Sequence, residues 1–322
     1  MSSSSSVLVV RLSAIGDLVL VAPVVAQLNL EGYRVSLLCK DAYRSVGICL
    51  PGLQEVLSWE KDRARLAEDS GSFQAVLDLQ GTAKSKRWTR GLKTMVFTYQ
   101  KPYLRRTLLL TFGPSFALEP VVTRYFKAAR PLLKNEPNAH SELVLPNSKL
   151  SLPSEPYIAV VLGGTYSGKR LSFEQWRSSI SELLKLGLPI ALVGGPEEAG
   201  IGESLEQPLG SGVTNFCGTT TIIEGMTVVK NSSLVISGDT GFMHAAANFR
   251  RPLISLWGAT HPSLGFAPWP VYEAQSQIIT KGRSPISKHG KVHWWQSNPM
   301  KKFPVDQIAI IAQQMLKDKI VP

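Results

Sequence analysis

The chain has 322 residues, enough for about two domains that each bury a core of their own. Hydrophobic residues make up 44% and charged residues 18%, which excludes wholesale disorder and small disulfide scaffolds. Lys and Arg outnumber Asp and Glu by 35 to 24, and the formal charge of +11 favours an anionic partner. Residues 1–150 hold 20 basic and 12 acidic side chains (+8), whereas residues 151–322 hold 15 and 12 (+3).

In the first half, the pattern predicts strands that alternate with helices. Val7–Val10 is a continuous apolar run, followed by a polar turn and a helical segment, Leu18–Leu30. This is how a doubly wound parallel sheet opens. Prolines then punctuate residues 136–156, which predicts a linker. Further strands are predicted at Val35–Cys39, Glu55–Leu57 and Ala75–Leu79.

The same alternation begins again after the linker. Ser172 to Gln175 forms a capping box before a helix that ends at Gly187. Pro304 begins a last helix whose apolar stripe needs a partner surface, and packing back on the first domain is one expectation. Strands are predicted at Tyr157–Leu162, Pro189–Val193, Ser233–Ile236 and Leu253–Trp257. We therefore predict an α/β chain with two domains, residues 1–150 and 151–322, and a cleft between them.

Cysteine usage and hydropathy restrict the class of protein further. The widely spaced Cys39, Cys49 and Cys217 include no CxxC pair, so they predict buried thiols and neither a disulfide framework nor a zinc site. No apolar run reaches the roughly 18 residues of a membrane span. Met1 is followed by five serines, where a signal peptide would have basic residues and an apolar run. We expect a cytoplasmic protein with a disordered serine tail.

Two loops that follow predicted strands carry polar motifs. The motif RLSAIGD has one glycine and cannot supply the GxGxxG of a dinucleotide site, and its Asp17 is a helix cap or a catalytic carboxylate. The loop at residues 163–169 matches GxxxxGK, but Arg170 stands where a P-loop needs Ser or Thr for Mg²⁺. The loop can still bind a phosphate in an arrangement other than a P-loop, through its amides, the Thr165 hydroxyl and the Lys169 ammonium.

A third motif, SGDTGFMHAAA at residues 237–247, passes from a strand through a glycine turn into a helix. The amino end of that helix suits a diphosphate. His244 lies one helical turn beyond Thr240, so both can face one pocket. The alternative is a capped helix with an incidental histidine. The motif WGATHP at residues 257–262 follows the next strand, so four such loops are expected to converge on the cleft.

Together these motifs resemble the ADP-heptose:lipopolysaccharide heptosyltransferases of glycosyltransferase family 9. The resemblance implies the GT-B architecture, in which two Rossmann-like domains face each other and bind the acceptor and the nucleotide sugar, respectively. It also implies inverting transfer of a heptose or related sugar from an ADP-sugar to a lipopolysaccharide inner-core acceptor. The motifs that carry it are RLSAIGDLVL at 11–20, DLQG at 78–81, GGTYSGKRLSFEQW at 163–176, GGPEE at 194–198, SGDTGFMHAAA at 237–247 and WGATHP at 257–262.

The resemblance implies roles for single residues. Asp17 matches the catalytic base, Lys169 matches the lysine that contacts the diphosphate, and Glu198 matches the carboxylate that takes ribose hydroxyls. Leu171 and Ser172, where the family usually has Trp-Pro, and His261 depart from the family's pattern, which leaves the bound sugar open. The other positions that match donor-binding residues are Thr165, Asp239, Thr240, Gly241 and His244.

A run of basic residues occupies the first half. From Gly81 to Phe116 there are eight basic residues and no acidic one. This run is either a solvated face or a surface for an anionic glycolipid; no nucleic-acid module accompanies its interleaved aromatic residues. We expect contact with the acceptor, or peripheral contact at the cytoplasmic face of the inner membrane, through Lys84, Lys86, Arg87 and Arg90.

The sequence contains no DxD pair for a metal, so we expect turnover without a metal or another cofactor, with the ADP-sugar as substrate. Two further classes of function remain open. One is a different GT-B enzyme, such as a nucleotide-sugar epimerase, which isomerisation without acceptor would favour. The other is a non-catalytic protein that binds a sugar nucleotide or glycolipid, against which the intact Asp17 and Lys169 argue.

Overall fold

The computed structural model describes residues 5–137 and 141–320. Contacts between residues divide the chain into two units: Met1–Tyr103 with Glu119–Pro146, and Leu104–Leu118 with Asn147–Pro322. One segment, Leu104–Leu118, thus belongs to the second unit although it lies in the first half of the sequence. Most of the predicted serine tail, and residues 138–140 of the predicted linker, lie outside the described residues. Within the part that the structure describes, no helix is long and apolar enough to cross a membrane.

The first unit is built on a parallel sheet of five strands in the order β3-β2-β1-β4-β5. Its central strand β1 is buried from Val7 to Val10, which explains why its sequence is continuously apolar rather than alternating. The strands are β1 (Ser6–Val10), β2 (Arg34–Cys39), β3 (Leu53–Ser58), β4 (Ala75–Asp78) and β5 (Met95–Thr98). The helices are α1 (Ile15–Val19), α2 (Ala22–Leu30), α3 (Arg44–Ile48), α4 (Arg63–Glu68), α5 (Ala83–Thr89) and α7 (Val121–Ala129), while α6 (Tyr103–Phe112) lies almost wholly in the second unit.

The helix predicted at Leu18–Leu30 is two helices in the structure. The chain leaves α1 after Val19 and begins α2 at Ala22, with Pro23 in its first turn. Proline has no N–H to donate to the preceding turn and its ring clashes there, so a helix breaks before it. The break keeps α1 to five residues, with Asp17 at its centre.

The second unit is built on a parallel sheet of six strands in the order β11-β10-β9-β6-β7-β8. The predicted strand Leu253–Trp257 is found with the same bounds, and all five of its residues are buried. The strands are β6 (Ile158–Val161), β7 (Ile190–Val193), β8 (Val213–Asn215), β9 (Leu234–Gly238), β10 (Leu253–Trp257) and β11 (Gln275–Ile279). The helices are α8 (Phe173–Leu184), α9 (Ala199–Leu209), α10 (Ile222–Asn231), α11 (Gly241–Asn248) and α12 (Asp306–Ile320).

Of two helix starts predicted in the second unit, that of α8 is found as predicted and that of α12 lies two residues later. The Ser172 hydroxyl accepts from the amide of Gln175, and the Gln175 side chain accepts from the amide of Ser172, so α8 has its capping box. The last helix, α12, begins two residues after Pro304. Its apolar stripe joins the core of the second unit beside α8 and β10 through Ile308, Ala312 and Leu316.

The order of the central strands positions the chemistry. Chain order reverses between β1 and β4 in the first sheet, and between β6 and β9 in the second. Ligands of open parallel sheets bind beyond the carboxyl ends of the strands at such switch points. The loops that follow these four strands are therefore the candidate sites, and they carry four of the motifs singled out from the sequence, while GGPEE and WGATHP follow β7 and β10.

Packing of α12 is tested by two isoleucines on the same helix. Ile308 is completely buried in the core, whereas Ile310 is 54% exposed. We expect Ile308→Ala to lower the free energy of unfolding by about 2–5 kcal/mol, because it removes buried methyl groups and leaves a cavity. Ile310→Ala should change it by no more than about 0.5 kcal/mol. Urea unfolding of both variants measures this, and equal losses would show that α12 does not pack as described.

Candidate active site

The loop after β1 holds Asp17 in an ion pair. Asp17 Oδ2 contacts the guanidinium of Arg11 and accepts a hydrogen bond of 3.3 Å from the amide of Ala14. The Asp17 side chain is 26% exposed and that of Arg11 only 8%. Both contacts use Oδ2, so Oδ1 is the carboxylate oxygen best placed to meet a ligand. Asp17 therefore contributes to the cap of α1, which is one of the two alternatives raised by the sequence, and its catalytic role stays a prediction.

Arg11 is the residue that fixes this carboxylate. Its Nε donates to the carbonyl of Ser13 and its Nη1 to the carbonyl of Leu79, at 2.9 and 2.7 Å. The guanidinium also lies over the ring of Tyr125, 5.7 Å from the centroid. Burial alone would lower the pKa of Arg11, but attraction to Asp17 and the neighbouring tyrosines outweighs burial, and the net shift is upward. Arg11 thus stays charged and holds Asp17.

The loop after β4 is organised by Asp78, which is completely buried. Its Oδ1 accepts from the amides of Gln80 and Gly81, both at 3.0 Å, and its Oδ2 accepts from the Ser85 hydroxyl at 2.9 Å. Burial raises the pKa of Asp78 despite these hydrogen bonds. Since Gln80 Oε1 in turn accepts from the amide of Leu12, this turn supports the loop that carries Asp17.

In the second unit, the loop after β6 meets the loop after β9. Lys169 Nζ lies 2.7 Å from Oδ2 of Asp239 and donates to the Asp239 carbonyl at 3.1 Å. The two side chains are 16% and 8% exposed. Two residues that lie 70 positions apart in sequence are thereby held together at the switch point of the sheet.

The amino end of α11 lies directly beside this pair. Thr240 is its N-cap, and its hydroxyl accepts from the amide of Met243 at 3.3 Å and contacts the Ser237 hydroxyl at 3.0 Å. The first amides of a helix point out of its end and carry partial positive charge. Those of Gly241 and the next residue are therefore directed at the space beyond the strands, where an anion is stabilised.

Close packing of the chain at glycines fixes the loop that carries Lys169. A Cβ at Gly238 would lie 2.7 Å from the carbonyl oxygen of Lys169. Gly290 packs on the Lys169 side chain, and a Cβ there would lie 2.5 Å from Cγ. The carbonyl of Gly168 accepts from the amide of Ala259 at 2.8 Å. Three distant segments therefore enclose this loop, and side chains at their contact points would push it away.

Glu198 lies at the loop after β7 and is 8% exposed. Its Oε2 accepts from the amide of Gly195 at 2.9 Å, and its Oε1 lies 3.7 Å from the Arg170 guanidinium. The carboxylate packs on Gly163, where a Cβ would lie 3.1 Å from Oε2. Glu198 thus borders the loop after β6, and its contact with a ribose stays a prediction.

The remaining predicted donor residues differ in their exposure. Thr165 is exposed at the start of its loop, whereas His244 is buried one turn into α11. In the loop after β10, His261 Nδ1 accepts from the amide of Ser263 at 3.1 Å. Burial lowers the pKa of His261, which favours the neutral form of its ring. The described residues include no cluster of three or more potential metal ligands.

Three of the basic residues predicted to contact the acceptor or a membrane lie on α5, and the fourth, Arg90, is the C-cap of that helix. Lys86 and Arg90, one turn apart, line a groove of about 450 Å³ beside the edge strand β5. The rest of its lining is uncharged and contains three threonines and Gln100. Lys84 lies over the ring of Trp59, with Nζ 5.2 Å from the centroid, and Arg87 is exposed.

Sequence reasoning missed several residues that shape these sites. Arg11 is the first residue of the motif RLSAIGD, but nothing in the local sequence indicates that it pairs with Asp17. Asp78 also lies in a quoted motif, and its place directly after a strand is the one signal of its role. Gly290 lies 121 residues after Lys169, in an irregular segment, and no sequence pattern connects them.

Packing around Lys169 is tested by substitution of two glycines. In Gly168→Ala the new methyl group would overlap the Cβ of Ala259 and the carbonyl oxygen of Gly290. We expect this overpacking to cost about 1–3 kcal/mol of stability. Gly200→Ala, in α9, meets no atom within 4 Å and should be neutral or stabilising by up to about 1 kcal/mol. Thermal unfolding compares them, and a stable Gly168→Ala would contradict the packing described.

Comparisons with known proteins identify relatives of this chain. The chain is 30% identical over 140 residues to lipooligosaccharide heptosyltransferase 2 of Haemophilus influenzae, a match that covers 41% of this chain and 40% of that protein. It is 22% identical over 302 residues to lipopolysaccharide heptosyltransferase 1 of Pseudomonas aeruginosa, covering 80% and 79%. The chain thus spans well under two thirds of the first relative and more than two thirds of the second.

A solved structure shows the fold. The E. coli ADP-heptose lps heptosyltransferase II superimposes with a TM-score of 0.74 at 16% identity, over 98% of this chain and 99% of that chain. The predicted α/β fold of the GT-B class is therefore confirmed. The model of glycosyltransferase family 9 (heptosyltransferase) matches residues 64–293. Because the matching family consists of transferases, the match does not favour the alternative functions, an epimerase or a non-catalytic binding protein. The chain belongs to glycosyltransferase family 9.

Proposed function

We propose that this enzyme transfers a heptose or related sugar, with inversion, from an ADP-sugar to the inner core of a lipopolysaccharide acceptor. The observation that carries the proposal is the meeting of Lys169 with Asp239 beside the amino end of α11, at the switch point of the second sheet. A cation and outward-pointing amides at one place are what a sugar diphosphate needs. The family and the names of the two relatives support heptose as the sugar and lipopolysaccharide as the acceptor.

The donor diphosphate binds at the ammonium of Lys169 and the first amides of α11, at Gly241. Lys169 keeps donor capacity because its ammonium has three N–H groups. A carboxylate repels a phosphate, so Asp239 orients Lys169 and offers its remaining lone pairs to sugar hydroxyls. The Thr165 hydroxyl is placed at the mouth of the phosphate loop, and His244 lies one turn beyond Thr240. Glu198 accepts the ribose hydroxyls.

Asp17 acts as the general base on the acceptor hydroxyl. The acceptor oxygen attacks the anomeric carbon, the bond from that carbon to the diphosphate oxygen breaks, and the hydroxyl proton passes to Oδ1 of Asp17. Arg11 fixes the carboxylate through Oδ2, so no reorganisation is needed at the moment of transfer. Lys169 and the α11 amides stabilise the negative charge that develops on the departing diphosphate. We expect turnover without a metal ion.

The acceptor's anionic groups bind the basic residues of α5 and its C-cap. Lys86 and Arg90 face a groove whose lining holds hydroxyl and amide groups and no carboxylate, as binding of a phosphate or an acidic sugar requires. Lys84 and Arg87 extend the positive charge outside the groove. Basic residues near an acidic bilayer contribute about 1 kcal/mol each, so the cluster also supports peripheral contact with the cytoplasmic face of the inner membrane.

Asp17→Asn tests the assignment of the base. The amide cannot take the proton, so we expect kcat to fall by about 10² to 10⁴ while ADP affinity stays unchanged. Asp41→Asn, which alters an exposed carboxylate paired with Lys61 in the same unit, serves as the control and should retain native kcat. Transfer assays and calorimetry measure the two quantities. If Asp17→Asn transferred sugar at the native rate, Asp17 would not be the base.

Lys169→Gln tests the donor site. Loss of a charged donor to the diphosphate should weaken ADP binding about tenfold or more. Lys185→Gln, which removes an exposed lysine paired with Glu182, should bind ADP like the native enzyme. Calorimetry of the native enzyme with ADP, UDP, GDP and CMP also tests which nucleotide the donor carries, and ADP is expected to bind most tightly. Native ADP affinity in Lys169→Gln would place the diphosphate elsewhere.

A further inference from the structure

The segment between β11 and α12 carries charge that the proposed reaction does not use. Residues 274–305 contain no Asp or Glu. The basic segment, defined as residues 281–302, holds Lys281, Arg283, Lys288, Lys291, Lys301 and Lys302. All six are exposed, and none of the five lysines forms an ion pair with any residue that the structure describes. The positive charge of this segment is therefore not compensated by side chains around it.

At the middle of the basic segment, two tryptophans project from a turn. The amide of Gln296 donates to the carbonyl of His293 at 2.9 Å, and the Gln296 side chain accepts from the amide of His293 at 3.0 Å. Trp294 and Trp295 occupy the two central positions of this turn and are 92% and 63% exposed. We call residues 293–296 the aromatic tip. Two neighbouring tryptophans with so much exposed apolar surface indicate an interaction site.

The rings of the aromatic tip are held by one another. His293 stacks on Trp295, with centroids 4.6 Å apart and planes 11° apart. Trp294 meets Trp295 edge to face at 5.5 Å, with the planes at 90°. The tip is therefore an ordered aromatic projection, and burying it costs less conformational entropy than ordering a loose loop would.

The ends of the tip's loop are fixed on the body of the second unit. The amides of Ile286 and Ser287 donate to the Ala259 carbonyl at 3.0 and 3.1 Å. Gly290 packs on Lys169, and Asn298 Nδ2 donates to the carbonyl of Ser167 at 3.1 Å. Both ends of residues 291–297 thus touch the loop Ser167–Lys169. The tip stands no more than about 14 Å from these two anchors, the reach of four extended residues.

We propose that the aromatic tip inserts into the interface of an anionic phospholipid bilayer, with the lysines around it facing the headgroups. Tryptophan has an apolar body with one polar N–H and concentrates at the headgroup level of membranes. Lysine keeps its ammonium in water while its stem covers apolar surface. This pairing of two exposed tryptophans with uncompensated cations matches the chemistry of such an interface.

Single-stranded nucleic acid is the other partner that aromatic rings and lysines suggest. Sites for single strands space their rings along a basic groove so that successive bases stack. Here the two tryptophans lie at right angles on a single projecting turn, and they offer no series of parallel faces. A bilayer interface makes no such demand on ring geometry, so the observations favour lipid. The inference concerns the second unit and is independent of the transfer reaction.

Vesicle flotation of the full chain, without nucleotide sugar or acceptor, tests the proposal. The vesicles are phosphatidylcholine alone or phosphatidylcholine mixed with phosphatidylglycerol. We expect Trp294→Ser with Trp295→Ser to weaken partition into mixed vesicles about tenfold or more, because half-burial of two indoles is lost. Val271→Ser, which alters a residue 77% exposed in the same unit, is the matched control and should bind like the native protein.

Charge is tested separately from the rings. Lys288→Gln and Lys291→Gln should each weaken binding to mixed vesicles about fivefold at low salt. High salt should remove that effect. The controls Lys185→Gln and Lys317→Gln, which alter exposed lysines at the C-cap of α8 and in α12, should change binding little. Brominated lipids should quench tryptophan fluorescence in the native protein and no longer do so in the double tryptophan variant.

The proposal has clear contrary outcomes. It is overturned if the double tryptophan variant, with native thermal stability, floats like the native protein. It is also overturned if charge reversal of the four basic residues of α5 and its C-cap abolishes flotation while the tip variant retains it, since α5 would then be the membrane contact. A third contrary result is tip-dependent binding of a single-stranded oligonucleotide without binding to vesicles.

Discussion

A parallel sheet delivers all of its strands to one edge in the same direction, and this constraint determines where the chemistry of the protein lies. Every neighbouring pair in both sheets is parallel. The loop after each strand therefore opens at the carboxyl edge, and the loops after the central strands lie side by side. Lys169 and Asp239 meet because β6 and β9 are neighbours in the sheet. Arg11 reaches the loop after β4 for the same reason.

The pairing of Lys169 with Asp239 has an electrostatic consequence for the proposed donor site. A mostly buried charge is costly unless it is paired, and the pair satisfies both partners before a ligand arrives. As a pair the two groups are neutral, so attraction of a diphosphate depends on the α11 amides as much as on the lysine. These dipoles are fixed by the backbone and do not have to reorganise when charge develops on the leaving group. The carboxylate of Asp17 is held in a similar way, because it pairs with Arg11 and the Arg11 guanidinium donates to two backbone carbonyls.

Much of the fold could be predicted because buried parallel strands are apolar at every position. Val7–Val10 and Leu253–Trp257 carry that signal and were found as predicted. The edge strands β5, β8 and β11 were missed, since they are short and partly exposed and their sequences mix polar with apolar residues. The break before Pro23 was visible in the sequence as a proline but was not interpreted as the start of a second helix.

For the candidate site, local motifs were enough to select Lys169 and Thr240 but not their surroundings. The structure shows Thr240 as the N-cap of α11, and its predicted contact with the donor stays a prediction. The contact of Asp17 with Arg11 depends on how the chain turns after β1, which the sequence alone does not define. The enclosure of the Lys169 loop by Gly290 joins segments over 120 residues apart, and loop closure of that length leaves no local trace.

That enclosure also orders events during synthesis of the chain. The loop Ser167–Lys169 emerges from the ribosome well before Gly238, Gly258 and Gly290, the glycines that pack around it or its neighbours. Its strand and helix can form early, but its final shape waits for residues 290–298, whose contacts have high sequence separation and form slowly. The loop Ser167–Lys169 is therefore among the last parts of the second unit to reach its final conformation. A nascent chain that stalls before residue 290 would hold Lys169 without its packing partner.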